Sequence, residues 1–204
     1  KEAVIEPFIE FFKRQGAWLI LLFILLYKIG DNMASAMNVP FILNLGFEKQ
    51  DYFLIVKGLG MFSLFGGMFL GGLIMVRLGI YRSLWVFGVL QMLSTLGFSL
   101  LALVGKNHAL LSGVVVFELL STGLGTTAYS AFMASQTNKR FTATQYALMT
   151  SLMAVPGTIV AATTGYMVKF LGWSEFYVLA AIIAAPGLFL LFKLKSSIAS
   201  KRSV

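Results

Sequence analysis

Six long apolar stretches divide the chain, at roughly residues 17–37, 52–76, 84–104, 109–133, 143–170 and 175–194. A helix needs about 20 apolar residues to cross a hydrocarbon core, and each stretch meets that length. The polar connections at 44–51, 77–83, 105–108, 136–142 and 171–174 are too short to hold a soluble domain. Backbone polar groups inside lipid must be satisfied within the spanning element, so the pattern predicts six helices in one bundle. The expected fold class is therefore all-α integral membrane. Pro40 is expected to end the first helix, because the residue before a proline is pushed out of the α region. Pro156 and Gly157 are expected to kink or break the fifth.

Residues 1–15 read differently. Val4, Phe8, Phe11 and Phe12 fall near helical spacing with acids and Lys13-Arg14 opposite, the signature of an amphipathic surface helix. Pro7 is expected to limit helix before it. The expected organisation is a cytoplasmic amphipathic linker over 1–15, a transmembrane bundle over 16–195 and a cytoplasmic tail over 196–204.

Only 12% of the residues are charged, against about 25% in ordinary soluble domains. The net charge of +8 does not imply nucleic acid, because the basic residues fall in short groups between apolar runs. One side of the predicted bundle holds eleven of them: Lys1, Lys13, Arg14, Arg77, Arg82, Lys139, Arg140, Lys193, Lys195, Lys201 and Arg202. The other holds three, Lys49, Lys106 and Lys169. The positive-inside rule puts the eleven, and with them both ends of the chain, in the cytoplasm. There is no cysteine and a single histidine, His108, so no disulfide, thiolate metal site or histidine-based triad is implied. No Walker, GxSxG or HExxH motif occurs, and neither an enzyme nor a bound cofactor is expected. The chain opens on Lys1, and Glu2, Glu6 and Glu10 interrupt any signal-peptide core. A piece of a longer protein is the expectation.

Within this apolar background, Tyr27-Lys28-Ile29-Gly30-Asp31-Asn32 stands out. Lys28 lies eleven residues past Ala17, about 17 Å along a helix at roughly 1.5 Å per residue, near the middle of a core roughly 30 Å thick. Asp31 and Asn32 follow at i,i+3 and i,i+4 and share its helix face. Tyr27, four before Asp31, is placed to hydrogen-bond or stack on a ligand. The structural reading is a self-neutralising buried pair; the functional reading is a solute or proton site, the usual meaning of an intramembrane charge. Glu118 lies at matching depth in the fourth stretch, beside Ser121, Thr122, Thr126 and Thr127. It is either an acid bonded to a neighbouring helix or a proton site, since burial and a nearby lysine act oppositely on a carboxyl. Lys57 is placed to snorkel toward the outer interface or to admit an anionic solute. Gln145, Tyr146, Thr150 and Gln91 are further candidates for hydroxyl recognition. Rows of small residues, Ser63-Gly67-Gly71 in the second stretch and Gly157-Ala161-Gly165 in the fifth, predict close helix contact or sliding surfaces.

Six helices with both ends inside resemble half of a major facilitator transporter. Gly72, Arg77, Gly79 and Arg82 resemble that superfamily's gating-loop motif G-x-x-x-D-R-x-G-R-R. Val76 replaces its Asp, and Ile80-Tyr81 replace its paired basics. A narrower resemblance is to AmpG-type muropeptide permeases. It is carried by Ala17-Trp18, Leu26 to Asp31, Gly58-Leu59-Gly60, Phe87-Gly88 with Gln91, Gly123 to Thr126, Asn138 to Leu148, Gly172-Trp173-Ser174 and Ala185 to Leu188. The resemblance covers the C-terminal six-helix half of such a permease. It implies proton-driven import of anhydromuropeptides, N-acetylglucosaminyl-anhydromuramyl peptides, across the bacterial inner membrane for peptidoglycan recycling. It implies protons, a small glycopeptide and an N-terminal six-helix half as partners, within membrane lipid. The competing expectations are a superfamily transporter of another solute, such as acetyl-coenzyme A, and a helical assembly module that transports nothing.

Overall fold

A computed structural model describes residues 2–13 and 16–199. Among the described residues all regular structure is helical. A helix α1 (Glu2–Lys13) precedes the bundle. The first span is two helices end to end, α2 (Ala17–Tyr27) and α3 (Ile29–Asn44). The second begins with one turn, α4 (Lys49–Asp51), passes through a π-helical stretch at Tyr52–Leu59 and continues as α5 (Gly60–Leu78). Then follow α6 (Ile80–Val104), α7 (His108–Ser135), α8 (Thr142–Leu171) and α9 (Trp173–Ala199). Six helical spans are long and apolar enough to cross a membrane, and the chain is a multi-pass membrane protein.

The prolines do less than expected. The first span does not stop at Pro40: α3 carries it and runs on to Asn44. Ending a helix there would strand several carbonyls at the membrane, whereas continuing through a proline forfeits one backbone bond that neighbours can replace. Pro156 likewise lies inside an unbroken α8, and Pro7 inside α1. Of the amphipathic stripe in α1, Phe11 is fully buried and Phe12 packs on Trp18; the side chains of Val4 and Phe8 lie outside the described set, as do Lys1, Arg14, Lys201 and Arg202.

Packing follows the small residues. α5 lies along α7, and α6 contacts both α7 and α9. A Cβ on Gly67 would collide with the Leu120 carbonyl, and one on Gly123 with the Leu64 carbonyl, so two backbones touch where only glycine fits. The second row behaves differently. A Cβ on Gly157 would come within 3.0 Å of the Asn32 side chain, whereas Gly165 faces open space; this face of α8 meets a side chain closely at Gly157 and nothing at Gly165. Large apolar side chains such as Trp18, Phe62, Phe69, Leu103 and Phe170 point outward, the surface a hydrocarbon solvent requires. Inside, one aromatic cluster surrounds Phe23, Tyr27, Tyr129 and Phe132, and a second surrounds Phe41, Phe98 and Tyr177.

Candidate functional site

The polar stretch of the first span is where its helix breaks. Lys28 sits between α2 and α3 at φ −101°, ψ 3°, the bridge region common at working sites. Its N–H turns to the Leu26 carbonyl instead of continuing the ladder to Ile24. The Ile24 carbonyl so released accepts the Tyr129 hydroxyl at 2.6 Å. The helix resumes when the Lys28 carbonyl accepts from Asn32 at 2.9 Å. Two contacts with α9 brace the break, Gly187 against the Leu26–Tyr27 backbone and Gly30 against that of Ala180. Tyr129 therefore supplies from α7 what the broken ladder lacks, as buried backbone polar groups require.

Beside the break lies a cavity of about 530 Å³ between α3, α7 and α8. Lys28, Asp31 and Asn32 form one wall, Thr122, Thr126, Tyr129 and Ser130 the second, and Met153, Ala154, Gly157, Thr158 and Ala161 the third. Lys28 Nζ lies 3.0 Å from Asp31 Oδ2. The other carboxylate oxygen accepts from Thr122 at 3.3 Å, and Thr122 in turn accepts from Gln91 Nε2 at 3.3 Å. Both oxygens of Asp31 are thus engaged, while an ammonium has three donors and spends one on the pair. The wall can offer an anionic group the remaining donors of Lys28, and a sugar or amide the polar tips of Asn32, Thr122, Thr126 and Ser130.

Glu118 lies one helical turn from Thr122 on α7 but outside the cavity. It is 2% exposed. Its Oε2 meets the Ser94 hydroxyl of α6 at 2.5 Å, and its Oε1 has no hydrogen-bond partner. The predicted polar wall of α7 thus divides by helical phase. Thr122 and Thr126 line the cavity, whereas Thr127 bonds the Met68 carbonyl of α5.

Tyr27 is turned from the cavity; its hydroxyl donates to the Leu84 carbonyl at 3.0 Å and its ring stacks on Tyr129. Gln145 is far from the cavity as well. Fully buried, it accepts from the Asn138 N–H at 2.7 Å and donates to the Pro7 carbonyl and to Glu10, which ties α1 to the α7–α8 loop. Tyr27 bonds a backbone carbonyl, and Gln145 both backbone and side-chain groups, that lie mostly far off in the linear sequence. Lys57 is exposed on the π-helical stretch, 5.9 Å from the Tyr52 ring centre. Gly79, at φ 76°, makes the tight turn between α5 and α6, and Gly72, Arg77 and Arg82 lie to either side of it. Ser94, Tyr129 and Ser130 are site residues that sequence reading passed over. Ser130 continues the i,i+4 row Glu118, Thr122, Thr126, a legible signal; Ser94 and Tyr129 reach the site through tertiary packing alone.

Residues 1–161 match the profile of the Major Facilitator Superfamily. The chain is 40% identical to the anhydromuropeptide permease of Escherichia coli strain K12 over 192 residues, covering 94% of this chain and 39% of that protein. It is 39% identical to an uncharacterised protein of Haemophilus influenzae over 196 residues, covering 91% and 46%. It is 37% identical to putative transporter AmpG 1 of Rickettsia prowazekii over 180 residues, covering 88% and 41%. The chain spans less than half the length of these curated relatives.

Proposed function

The chain belongs to the major facilitator superfamily, and from that premise we propose that it forms one half of a proton-driven importer of anhydromuropeptides in the bacterial inner membrane. The observation that carries the proposal is the polar cavity at a broken first span, floored by the Lys28–Asp31 pair. Discontinuous helices with charged groups at mid-membrane are how transporters hold solutes. The similarity to a protein named for anhydromuropeptides supports that solute. A muropeptide carries peptide carboxylates and sugar hydroxyls, and the cavity wall has a cation and short polar side chains to match.

The domain assignment is of the same kind: a linker over 1–15, a bundle over 16–195 and a tail over 196–204. The partner wall comes from an N-terminal six-helix half. Two spans support this, Lys49–Leu78 and Thr142–Leu171, which are the least buried of the six. The second presents Thr163 outward among its apolar residues, as a face covered by protein would. The charge asymmetry supports cytoplasmic termini. In this reading Lys28 and Asp31 hold the solute and Asn32 assists. Glu118 carries the proton, because it alone of the three charged groups is sealed from the cavity and has an oxygen without a partner. Lys57 and the α5–α6 turn with Gly72, Arg77, Gly79 and Arg82 serve admission and gating.

The test is uptake of labelled anhydromuropeptide into proteoliposomes under an imposed proton gradient. Residues 1–204 joined to an N-terminal half are expected to accumulate the solute, and residues 1–204 alone are not. Uptake by the chain alone would overturn the half-transporter reading, and no uptake by the joined protein would overturn the solute or its coupling.

A further inference from the structure

A second cavity, of about 380 Å³, lies at the end of the bundle near the α5–α6 turn, and it shares no residue with the polar cavity. Its lining is Leu78, Tyr81, Arg82, Trp85, Val86, Leu191 and Phe192, from the end of α5, the start of α6 and the late part of α9. Trp85 and Phe192 close one side, with ring centres 4.5 Å apart. Leu191 forms a fully buried floor, while Phe192 and Val86 are largely exposed. The groove is thus apolar along its length with a single permanent cation, and that cation stands exposed on the first turn of α6. Arg82 has no ion pair or hydrogen bond for its guanidinium among the described residues.

We propose that this groove is a binding site for one anionic glycerophospholipid of the surrounding bilayer, with its phosphate on Arg82 and an acyl chain between Trp85, Val86, Leu191 and Phe192. Three observations choose that occupant. The groove faces outward on a membrane-spanning bundle, so lipid is the solvent that meets it. Its apolar length suits a hydrocarbon chain and would hold a polar solute poorly. The planar guanidinium matches a phosphate bidentately, and basic pockets between transmembrane helices are known to take anionic headgroups. Arg77, also exposed, ends α5 on the same turn, which favours a net negative headgroup over a zwitterion. Trp85 lies near the start of α6, and tryptophan is favoured where a span meets the headgroups. None of this depends on which solute the protein carries.

Native mass spectrometry of the purified protein with phosphatidylglycerol or phosphatidylcholine is the test, read beside melting temperature in the same micelles. Phosphatidylglycerol is expected to be retained as one tightly held molecule and to raise the melting temperature more than phosphatidylcholine does. Arg82→Gln should weaken phosphatidylglycerol by about fivefold, the effect of one basic residue at a membrane surface, and leave phosphatidylcholine unchanged. Arg82→Lys should recover part of the loss. Val86→Phe, which narrows the groove but keeps the charge, should also lower retention. Equal retention of the two lipids overturns the proposal, as does selectivity that survives Arg82→Gln. Indifference to Val86→Phe would mean a headgroup contact with no acyl site, and would overturn it as well.

Discussion

Two acids meet at α7, Asp31 reaching it from α3 and Glu118 belonging to it, and they are treated in opposite ways. Asp31 meets Thr122 at the edge of an open cavity, with Lys28 on one oxygen and a hydroxyl on the other. Glu118 is sealed between α6 and α7, touches one serine and leaves its second oxygen without a partner. Asp31 has both oxygens engaged and a cation in contact. Glu118 has one donor and no cation in contact. The first span therefore brings an ion pair to the cavity, and α7 keeps a sealed acid one turn from the Thr122 that Asp31 contacts. Under the proposed function, that contrast separates holding a solute from exchanging a proton.

The contrast breaks most sharply at the pair. Replacing Lys28 with Met leaves Asp31 buried with hydroxyl support alone, and truncating one partner of a buried pair costs on the order of 3–5 kcal/mol. The double variant Lys28→Met, Asp31→Leu removes the stranded charge and should regain most of the stability. Melting temperatures of both single variants and the double check this; losses that simply add would mean the two groups do not act as a pair.

A smaller effect comes from the seam between α5 and α7. Gly123 lies against the Leu64 carbonyl and Gly67 against that of Leu120. Gly123→Ala should cost about 1–3 kcal/mol through overpacking. Gly165→Ala, where nothing lies within reach of the new carbon, should be tolerated. Similar melting temperatures for the two variants would show that the seam yields, and that α7 is not held as closely as described.

Much of this was legible before any coordinates. The six spans follow from apolar run length, and each structural span contains the predicted one within a few residues at either end, except that the first runs on past Pro40. The pair of Lys28 and Asp31 was legible because i,i+3 residues share a face. The glycine face of the second span was legible for the same periodic reason. The break itself was not. A lysine carries no breaker signal, and the kink depends on Tyr129 from α7 and on close glycine contacts with α9. Proline misled in the other direction, because its local preference against helix yields where lipid leaves the backbone no other partner. Tyr27 and Gln145 were read as solute contacts from polarity and depth. Their partners, the Leu84 carbonyl and the α1 backbone, come from 57 and 138 residues away, which no local pattern reports. The π-helical turn at Tyr52–Leu59 had no signal in the sequence that we can name.

The smallest change in stability and the largest in function should fall on one substitution, Glu118→Gln in the protein joined to its N-terminal half. The amide keeps the shape of the protonated acid, and its carbonyl still accepts from Ser94. Solute counterflow and gradient-driven uptake of labelled anhydromuropeptide, measured side by side in proteoliposomes, separate binding from coupling. The account predicts that the Gln variant exchanges solute across the membrane like the parent and loses accumulation under a proton gradient. Accumulation equal to the parent's would contradict it, and would make Glu118 a structural acid with the proton carried elsewhere.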